Sequence, residues 1–143
     1  MNTKKITIIG GGNLGMAIAE GLLKSGFASA DQITITRRTL SRLEDLKQKG
    51  VTVTANNVEA IRTSEVIIVA LKPFNVKEVL AGLKDSFDPN KHIIISVVTG
   101  IFLKDLAEIF DSPIPIFRAM PNTAIAIQES VTCLCQQGAT DNP

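Results

Sequence analysis

Three glycines near the amino terminus have the spacing found in loops that bind the phosphates of dinucleotides. Gly10, Gly12 and Gly15 follow a short apolar stretch, residues 6–9, and precede a segment with apolar residues at helical spacing. In such a unit the first glycine makes the tight turn, the second lets the backbone approach a pyrophosphate, and the third lets the helix pack closely on the strand. Free N–H groups at the start of the helix then bind the anion. We expect a dinucleotide site here; the alternative is a glycine turn with a structural role only.

The end of the second predicted strand carries two arginines where NAD-binding folds usually have an acid. Residues 32–36 form a β-branched stretch ending at Thr36, and Arg37 and Arg38 follow, whereas Asp31 precedes the strand. An acid at this place accepts hydrogen bonds from the 2′-hydroxyl of the adenine ribose, while guanidinium groups pair with the 2′-phosphate of NADP. The arginines therefore predict a preference for NADPH over NADH. The alternative is that they belong to a solvated loop.

Further polar residues lie near the ends of predicted strands. Lys72 follows an apolar run, residues 65–71, at the carboxyl end of a central strand, which is where open parallel sheets bind ligands. Asn56 and Asn57 precede a short predicted helix, so that either can cap it or contact an adenosine. His92, the one histidine, lies at the opposite end of a strand, and we expect a solvated residue there rather than a general acid.

Strand and helix patterns alternate about six times along the chain. Strands are predicted at residues 6–9, 32–36, 51–53, 65–71 and 93–98, and further strands around 113–117 and 130–135. Helices are predicted from residue 13 and at 41–49, 57–61, 73–83 and 101–110, the second opened by a capping box of Ser41 and Glu44 and the fourth by Pro73. This alternation predicts an α/β fold of the Rossmann type, a doubly wound and mostly parallel sheet with helices on both faces.

Length and composition bound the class of protein. The chain of 143 residues is 45% hydrophobic, which suits one folded domain, and its net charge of +1 offers no field for nucleic acid. Its apolar runs are too short to cross a membrane and its first residues do not form a signal peptide, so we expect a cytoplasmic protein. Cys133 and Cys135 are two residues apart in a predicted strand; we expect buried thiols, and no metal site.

Four segments, taken in order, make the chain resemble the pyrroline-5-carboxylate reductase family. They are residues 9–18, the strand end Ala70-Leu71-Lys72-Pro73, residues 96–100, and Arg118-Ala119-Met120-Pro121-Asn122-Thr123. Many NADP dehydrogenases share the glycine turn and the Lys-Pro step, whereas the last segment is far more specific. The resemblance implies an oxidoreductase that uses NADPH or NADH to reduce the C=N bond of 1-pyrroline-5-carboxylate to L-proline, the last step of proline biosynthesis.

The motifs and the resemblance together assign roles to residues. The expected cofactor-binding residues are Ile9, Gly10, Gly11, Gly12, Asn13, Leu14, Gly15, Thr36, Arg37, Arg38, Asn57, Ala70, Leu71, Lys72, Pro73, Val97, Val98, Thr99 and Gly100. Asn122 and Thr123 are expected on the substrate side. No catalytic residue is assigned, because a protonated imine is already electrophilic and its reduction needs orientation and exclusion of water more than an acid or base.

The resemblance also bears on domain organisation. Members of the family continue into a helical C-terminal domain that forms the dimer and most of the substrate pocket. Residues 1–143 would then be the dinucleotide-binding domain, inactive by itself, and the full-length protein a homo-oligomer acting on a small molecule.

Three positions depart from the family pattern and leave alternatives open. Val98 and Thr99 are bulkier than the alanines usual before the glycine that matches Gly100, and Ala124 stands where proline is common. Crowding of the nicotinamide by Val98 and Thr99 would fit a non-enzymatic NADP-binding regulatory module. Another NADP-dependent enzyme with the same first domain, such as a β-hydroxyacid or prephenate dehydrogenase, is the other alternative; its chemistry would require a Lys or His to move the hydroxyl proton.

Overall fold

Short β-branched stretches form the first five strands of a single sheet in the computed structural model, which describes residues 4–111, 113–120 and 133–137. Within these residues the sheet has seven strands in the order β3-β2-β1-β4-β5-β6-β7. The strands are β1 (Ile6–Ile9), β2 (Ile33–Thr36), β3 (Thr52–Thr54), β4 (Val66–Val69), β5 (Ile93–Ser96), β6 (Ile116–Met120) and β7 (Cys133–Gln137). The first six run parallel and β7 pairs antiparallel with β6. The predicted α/β, mostly parallel fold is confirmed.

Five α-helices connect the strands of the described chain. They are α1 (Asn13–Lys24), α2 (Glu44–Gln48), α3 (Asn57–Arg62), α4 (Pro73–Leu83) and α5 (Leu103–Ala107), with 3₁₀ turns at Ala30–Gln32, Leu40–Leu43 and Lys84–Ser86. The capping box predicted for α2 is wrong: the Ser41 side chain caps no helix, and α2 begins only at Glu44. The 3₁₀ turn instead brings Leu43 into the core, where it is fully buried. None of the described helices has the length and apolar character needed to cross a bilayer.

The parallel register brings the carboxyl ends of the central strands to one level. Ile9 pairs with Thr36 of β2 on one side and with Val69 of β4 on the other, and Val69 pairs in turn with Ser96 of β5. The loops that leave these four strands therefore start side by side. This edge of the sheet is where an open parallel sheet binds its ligand.

Helices pack on both faces of the sheet, as predicted. On one face Ile8 and Ile35 contribute to a core with Ile18 of α1 and Leu46 of α2. On the other face Ile9 and Ile67 pack with Ile61 of α3 and Leu83 of α4, and a neighbouring core under α4 and α5 includes Leu80 and Leu106. Each fully buried aliphatic side chain contributes about 1.5–3 kcal/mol relative to an exposed one, so the strand ends are held on a rigid base.

Candidate functional site

A cleft of about 400 Å³ opens at the carboxyl ends of β1, β2 and β4. This volume falls in the range of small-molecule sites. The residues that line it are Ile9, Gly10, Gly11, Gly12, Thr36, Arg37, Arg38, Thr39, Ala55, Asn57, Ala70, Leu71, Lys72, Asn75 and Val79. β1 lies between β2 and β4, whose helices cover opposite faces, so the cleft sits at the switch point of the sheet.

The glycine turn is shaped by close approaches that no other residue allows. Gly10 has a φ of +108°, and a Cβ there would lie 2.6 Å from the carbonyl oxygen of Ala70. A Cβ on Gly15 would collide with the carbonyl oxygen of Gly10. A Cβ on Gly12 would instead meet nothing within 4 Å. Gly10 and Gly15 therefore fold the turn, while Gly12 leaves open space at the cleft wall.

The start of α1 presents backbone N–H groups at this open space, and no described side chain caps them. Gly12 is the N-cap residue of the helix, no side chain caps it, and the first turn contains no acidic residue. The N–H groups of a first helical turn have no intrahelical acceptor, and they carry the positive end of the helix dipole. An anion at Gly12 would satisfy these donors.

Arg37 and Arg38 both line the cleft, but they differ in their surroundings. Arg37 is partly buried and its Nη1 donates to the carbonyl oxygen of Gly11 over 2.6 Å, whereas Arg38 is exposed. With Lys72, the described lining carries three cationic side chains and no acidic one. The charge of the cleft therefore favours an anionic ligand.

The two asparagines at the start of α3 have different roles in the structure. Asn56 caps the helix, because its Oδ1 accepts from the N–H of Glu59 at 3.1 Å. Asn57 is the first residue of the helix and lines the cleft, and its Oδ1 is buried and has no hydrogen-bond partner among the described residues. A buried unpaired acceptor costs roughly 1–3 kcal/mol, so Asn57 is suited to accept a hydrogen bond from a ligand.

The residues expected at the nicotinamide lie at the same edge of the sheet, but only those that follow β4, residues 70–72, line the cleft, whereas residues 97–100 do not. Val97 donates to the carbonyl oxygen of Val69 at 3.0 Å, which continues the β4–β5 ladder and sets it beside Ala70. Val98 is 3% exposed and packs in the core with Val76 and Leu80, so its bulk is directed away from the cleft. Thr99 and Gly100 are exposed, the latter with a φ of +82°.

Other expected site residues fall outside the lining or outside the described chain. Asn13, Leu14 and Gly15 belong to the first turn of α1 and Pro73 to that of α4, and none of them lines the cleft. Asn122, Thr123 and Ala124 lie outside the described residues. Cys133 and Cys135 both lie on β7, as predicted.

His92 is buried, and the prediction of a solvated residue is wrong. Its Nδ1 accepts from the N–H of Asp88 at 2.8 Å, and its Nε2 lies 3.0 Å from the carbonyl oxygen of Ile61. Burial lowers the pKa of His92 below its usual 6.5. A neutral ring with a proton on Nε2 satisfies both contacts. His92 thus links the start of β5 to α3 by a hydrogen bond, at the opposite end of the strands from the cleft.

The sequence alone did not identify four residues that line the cleft, namely Thr39, Ala55, Asn75 and Val79. Thr39 and Asn75 follow predicted site residues closely, and this proximity was the available signal. Ala55 and Val79 carry no polar group, and only the packing of β3 and α4 brings them to the cleft. Among the described residues no group of His, Cys, Asp and Glu is arranged to hold a metal ion.

Comparisons of the sequence and the fold with known proteins match this chain to reductases. A family model described as "NADP oxidoreductase coenzyme F420-dependent" matches residues 5–100. The chain is similar to pyrroline-5-carboxylate reductase 1 of Dictyostelium discoideum, with 41% identity over 142 residues that make up 96% of this chain and 26% of the relative. It is also similar in structure to a pyrroline-5-carboxylate reductase of Coxiella burnetii, with a TM-score of 0.90, 32% identity, and coverage of 99% of this chain and 52% of the other.

A further structure supports the fold alone. The pyrroline carboxylate reductase of Plasmodium falciparum, solved with NADP bound, has a TM-score of 0.86 at 22% identity, and the match covers 99% of this chain and 51% of that one. The chain thus spans about half the length of both solved reductases and about a quarter of the Dictyostelium relative.

Proposed function

This chain belongs to the NADP oxidoreductase family whose model it matches, and from that premise we propose that it is the cofactor-binding half of a pyrroline-5-carboxylate reductase. The observation that carries the proposal is the cleft at the strand ends, which combines an uncapped helix start with two arginines. The similarity to named reductases over nearly the whole chain supports the choice of reaction.

The described residues fit NADPH. The open space at Gly12 and the donors of α1 would hold the pyrophosphate, and Arg37 and Arg38 would hold the 2′-phosphate. The unpaired Oδ1 of Asn57 would accept from a hydroxyl or amino group of the adenosine. Ala70 and Val97, adjacent at the ends of β4 and β5, would lie along the nicotinamide half. NADPH is therefore proposed as the preferred cofactor over NADH.

The chemistry of the proposed reaction needs little from the side chains of this half. When bound, the reduced nicotinamide would supply the hydride that the carbon of the protonated imine accepts, and the nitrogen would keep its proton as C=N becomes C–N. The chain would bind the cofactor and fix its orientation, which lowers the entropic part of the barrier. The burial of Val98 in the core supports the enzyme over the regulatory module as far as this side chain is concerned. Thr99 is exposed, so the turnover assay below tests the regulatory alternative.

Two measurements test the proposal. Calorimetric titration of the 143-residue chain should show binding of NADPH that is tighter than binding of NADH. Oxidation of NADPH by the full-length protein should then require the cyclic imine, and a 3-oxo acid should serve as the control substrate. Turnover of the 3-oxo acid alone would assign a hydroxyacid dehydrogenase instead, and binding without any turnover would assign the regulatory module. Cytoplasmic location and a homo-oligomeric full-length protein remain predictions.

A further inference from the structure

Gly11, the middle glycine of the turn, is tied to the end of β2 by two hydrogen bonds. Its N–H donates to the carbonyl oxygen of Thr36 at 2.7 Å, and its own carbonyl oxygen accepts from Nη1 of Arg37 at 2.6 Å. We call this pair of bonds the Gly11 clasp. The glycine motif leaves this position unspecified, so the clasp is a property of this chain's own residues.

The clasp is built on fixed groups at both ends. The backbone N–H of Arg37 donates to the carbonyl oxygen of Thr54 on β3 at 3.2 Å, which anchors the arginine to the sheet. Gly11 is buried, and a Cβ there would lie 2.9 Å from Cδ2 of Leu43 and 3.2 Å from Cβ of Arg37. The glycine turn therefore packs closely against the end of β2, and the Arg37 guanidinium group adds a second hydrogen bond between them.

We propose that Arg37 is a positioning residue for the glycine turn and that discrimination between NADPH and NADH falls mainly to Arg38. One donor of the Arg37 guanidinium group holds Gly11 in place in the absence of a ligand, and the group has four further N–H donors. Arg38 lines the same cleft from an exposed position. This inference rests on the proposed function for the identity of the ligand, but the clasp itself does not.

The two arginines therefore differ in which cofactor each affects. Loss of Arg37 frees the turn that faces the pyrophosphate, which NADH and NADPH share, so affinity for both should fall. Loss of Arg38 removes only a partner of the 2′-phosphate, so affinity for NADPH alone should fall. If Arg37 were only a ligand of the 2′-phosphate, the two variants would behave alike.

Matched variants of the 143-residue chain, R37M and R38M, test this difference by calorimetry. Methionine keeps much of the unbranched apolar stem and removes the donors and the charge. We expect R37M to raise the Kd of NADH about threefold to tenfold, the range of one net hydrogen bond, and to raise that of NADPH by at least as much. R38M should raise the Kd of NADPH and leave that of NADH unchanged. The titrations are repeated in high salt, which screens a contribution from charge alone.

Hydrogen exchange of the chain without cofactor provides a readout independent of the ligand. R37M should speed exchange of the Gly11 amide about threefold to tenfold, and R38M should leave it at the parent rate. Parent-like NADH affinity and parent-like Gly11 exchange in R37M would overturn the proposal. So would an NADH effect that vanishes in high salt with no change in exchange. Failure of the parent chain to bind either cofactor would refute the proposed function instead, and the exchange of Gly11 would still decide the clasp.

Discussion

Alanine substitutions at Gly12 and Gly15 should separate binding from folding within one motif. A Cβ at Gly12 meets no atom within 4 Å, and its φ of −80° is open to any L-residue. A Cβ at Gly15 would collide with the carbonyl oxygen of Gly10, a backbone atom that cannot move without displacing the turn. The same chemical change is thus harmless to the fold at one position and damaging at the other.

The expected magnitudes follow from these contacts. G12A loses some N-cap preference, a cost of roughly 0.5–1 kcal/mol, and gains a similar amount from the restricted unfolded chain, so its stability should stay within about 1 kcal/mol of the parent. The free energy of unfolding of G15A should be about 2–4 kcal/mol lower than that of the parent chain, because the added methyl group overpacks against rigid backbone. In G12A the methyl group would occupy the space through which a pyrophosphate reaches α1, and the Kd of NADPH should rise at least tenfold, about 1.4 kcal/mol.

Urea unfolding followed by circular dichroism gives the stabilities, and calorimetry gives the affinities. Parent-like binding of NADPH by a stable G12A chain would refute the placement of the pyrophosphate at Gly12. A G15A chain as stable as the parent would refute the packing argument. Gly82 offers a control, since a Cβ there also meets nothing within 4 Å and it lies in α4 outside the cleft lining; G82A should change neither property adversely.

Two further predictions use other residues of the structure. N57A should weaken NADPH binding and leave the free energy of unfolding unchanged or raised by up to about 1 kcal/mol, because it removes a buried oxygen with no described partner. The matched variant N56A should lose about 1 kcal/mol of that free energy with the helix cap and keep its NADPH affinity. Calorimetry and urea unfolding measure both effects, and the reverse pattern would contradict both assignments. Because burial lowers the pKa of His92, the unfolded chain binds more protons than the folded one just below pH 6.5, and the free energy of unfolding should fall as the pH drops from 6.5 through the lowered pKa. Urea unfolding at about pH 7.5 and pH 5 should show a smaller decrease for H92Q than for the parent chain. An equal decrease would assign the acid sensitivity to other groups.

The strands and the glycine turn were predictable because local patterns determine them. Apolar β-branched runs fixed β1, β2, β4 and β5 to within a few residues, and Pro73 opens α4 as predicted. The start of α2 was not predictable from Ser41 and Glu44, since the burial of Leu43 favours a 3₁₀ turn there. Tertiary packing outweighed a capping signal worth about 1 kcal/mol.

The roles of polar side chains were less predictable than the elements that carry them. The sequence placed His92 at a strand end, but only the fold reveals that Asp88 and Ile61 supply partners for both ring nitrogens. The local pattern likewise left Asn56 and Asn57 equivalent, and only the resemblance assigned Asn57 to the cofactor; in the structure Asn56 accepts from the N–H of Glu59 and Asn57 lines the cleft. A difference of one residue along a helix start changes the direction of a side chain by about 100°, and no composition rule detects that.

The register of β1 and β2 explains how the cleft divides the recognition of phosphates between backbone and side chains. Ile9 and Thr36 are paired across the ladder, so the glycine turn and the two arginines leave the sheet at the same level. In the proposed complex, backbone N–H groups of α1 would face the pyrophosphate, which every dinucleotide carries, while Arg38 would face the 2′-phosphate, which only NADPH carries. A change at Gly12 should therefore affect all dinucleotides and a change at Arg38 only the phosphorylated one. Arg37 should affect both, because the Gly11 clasp joins the two halves of the site.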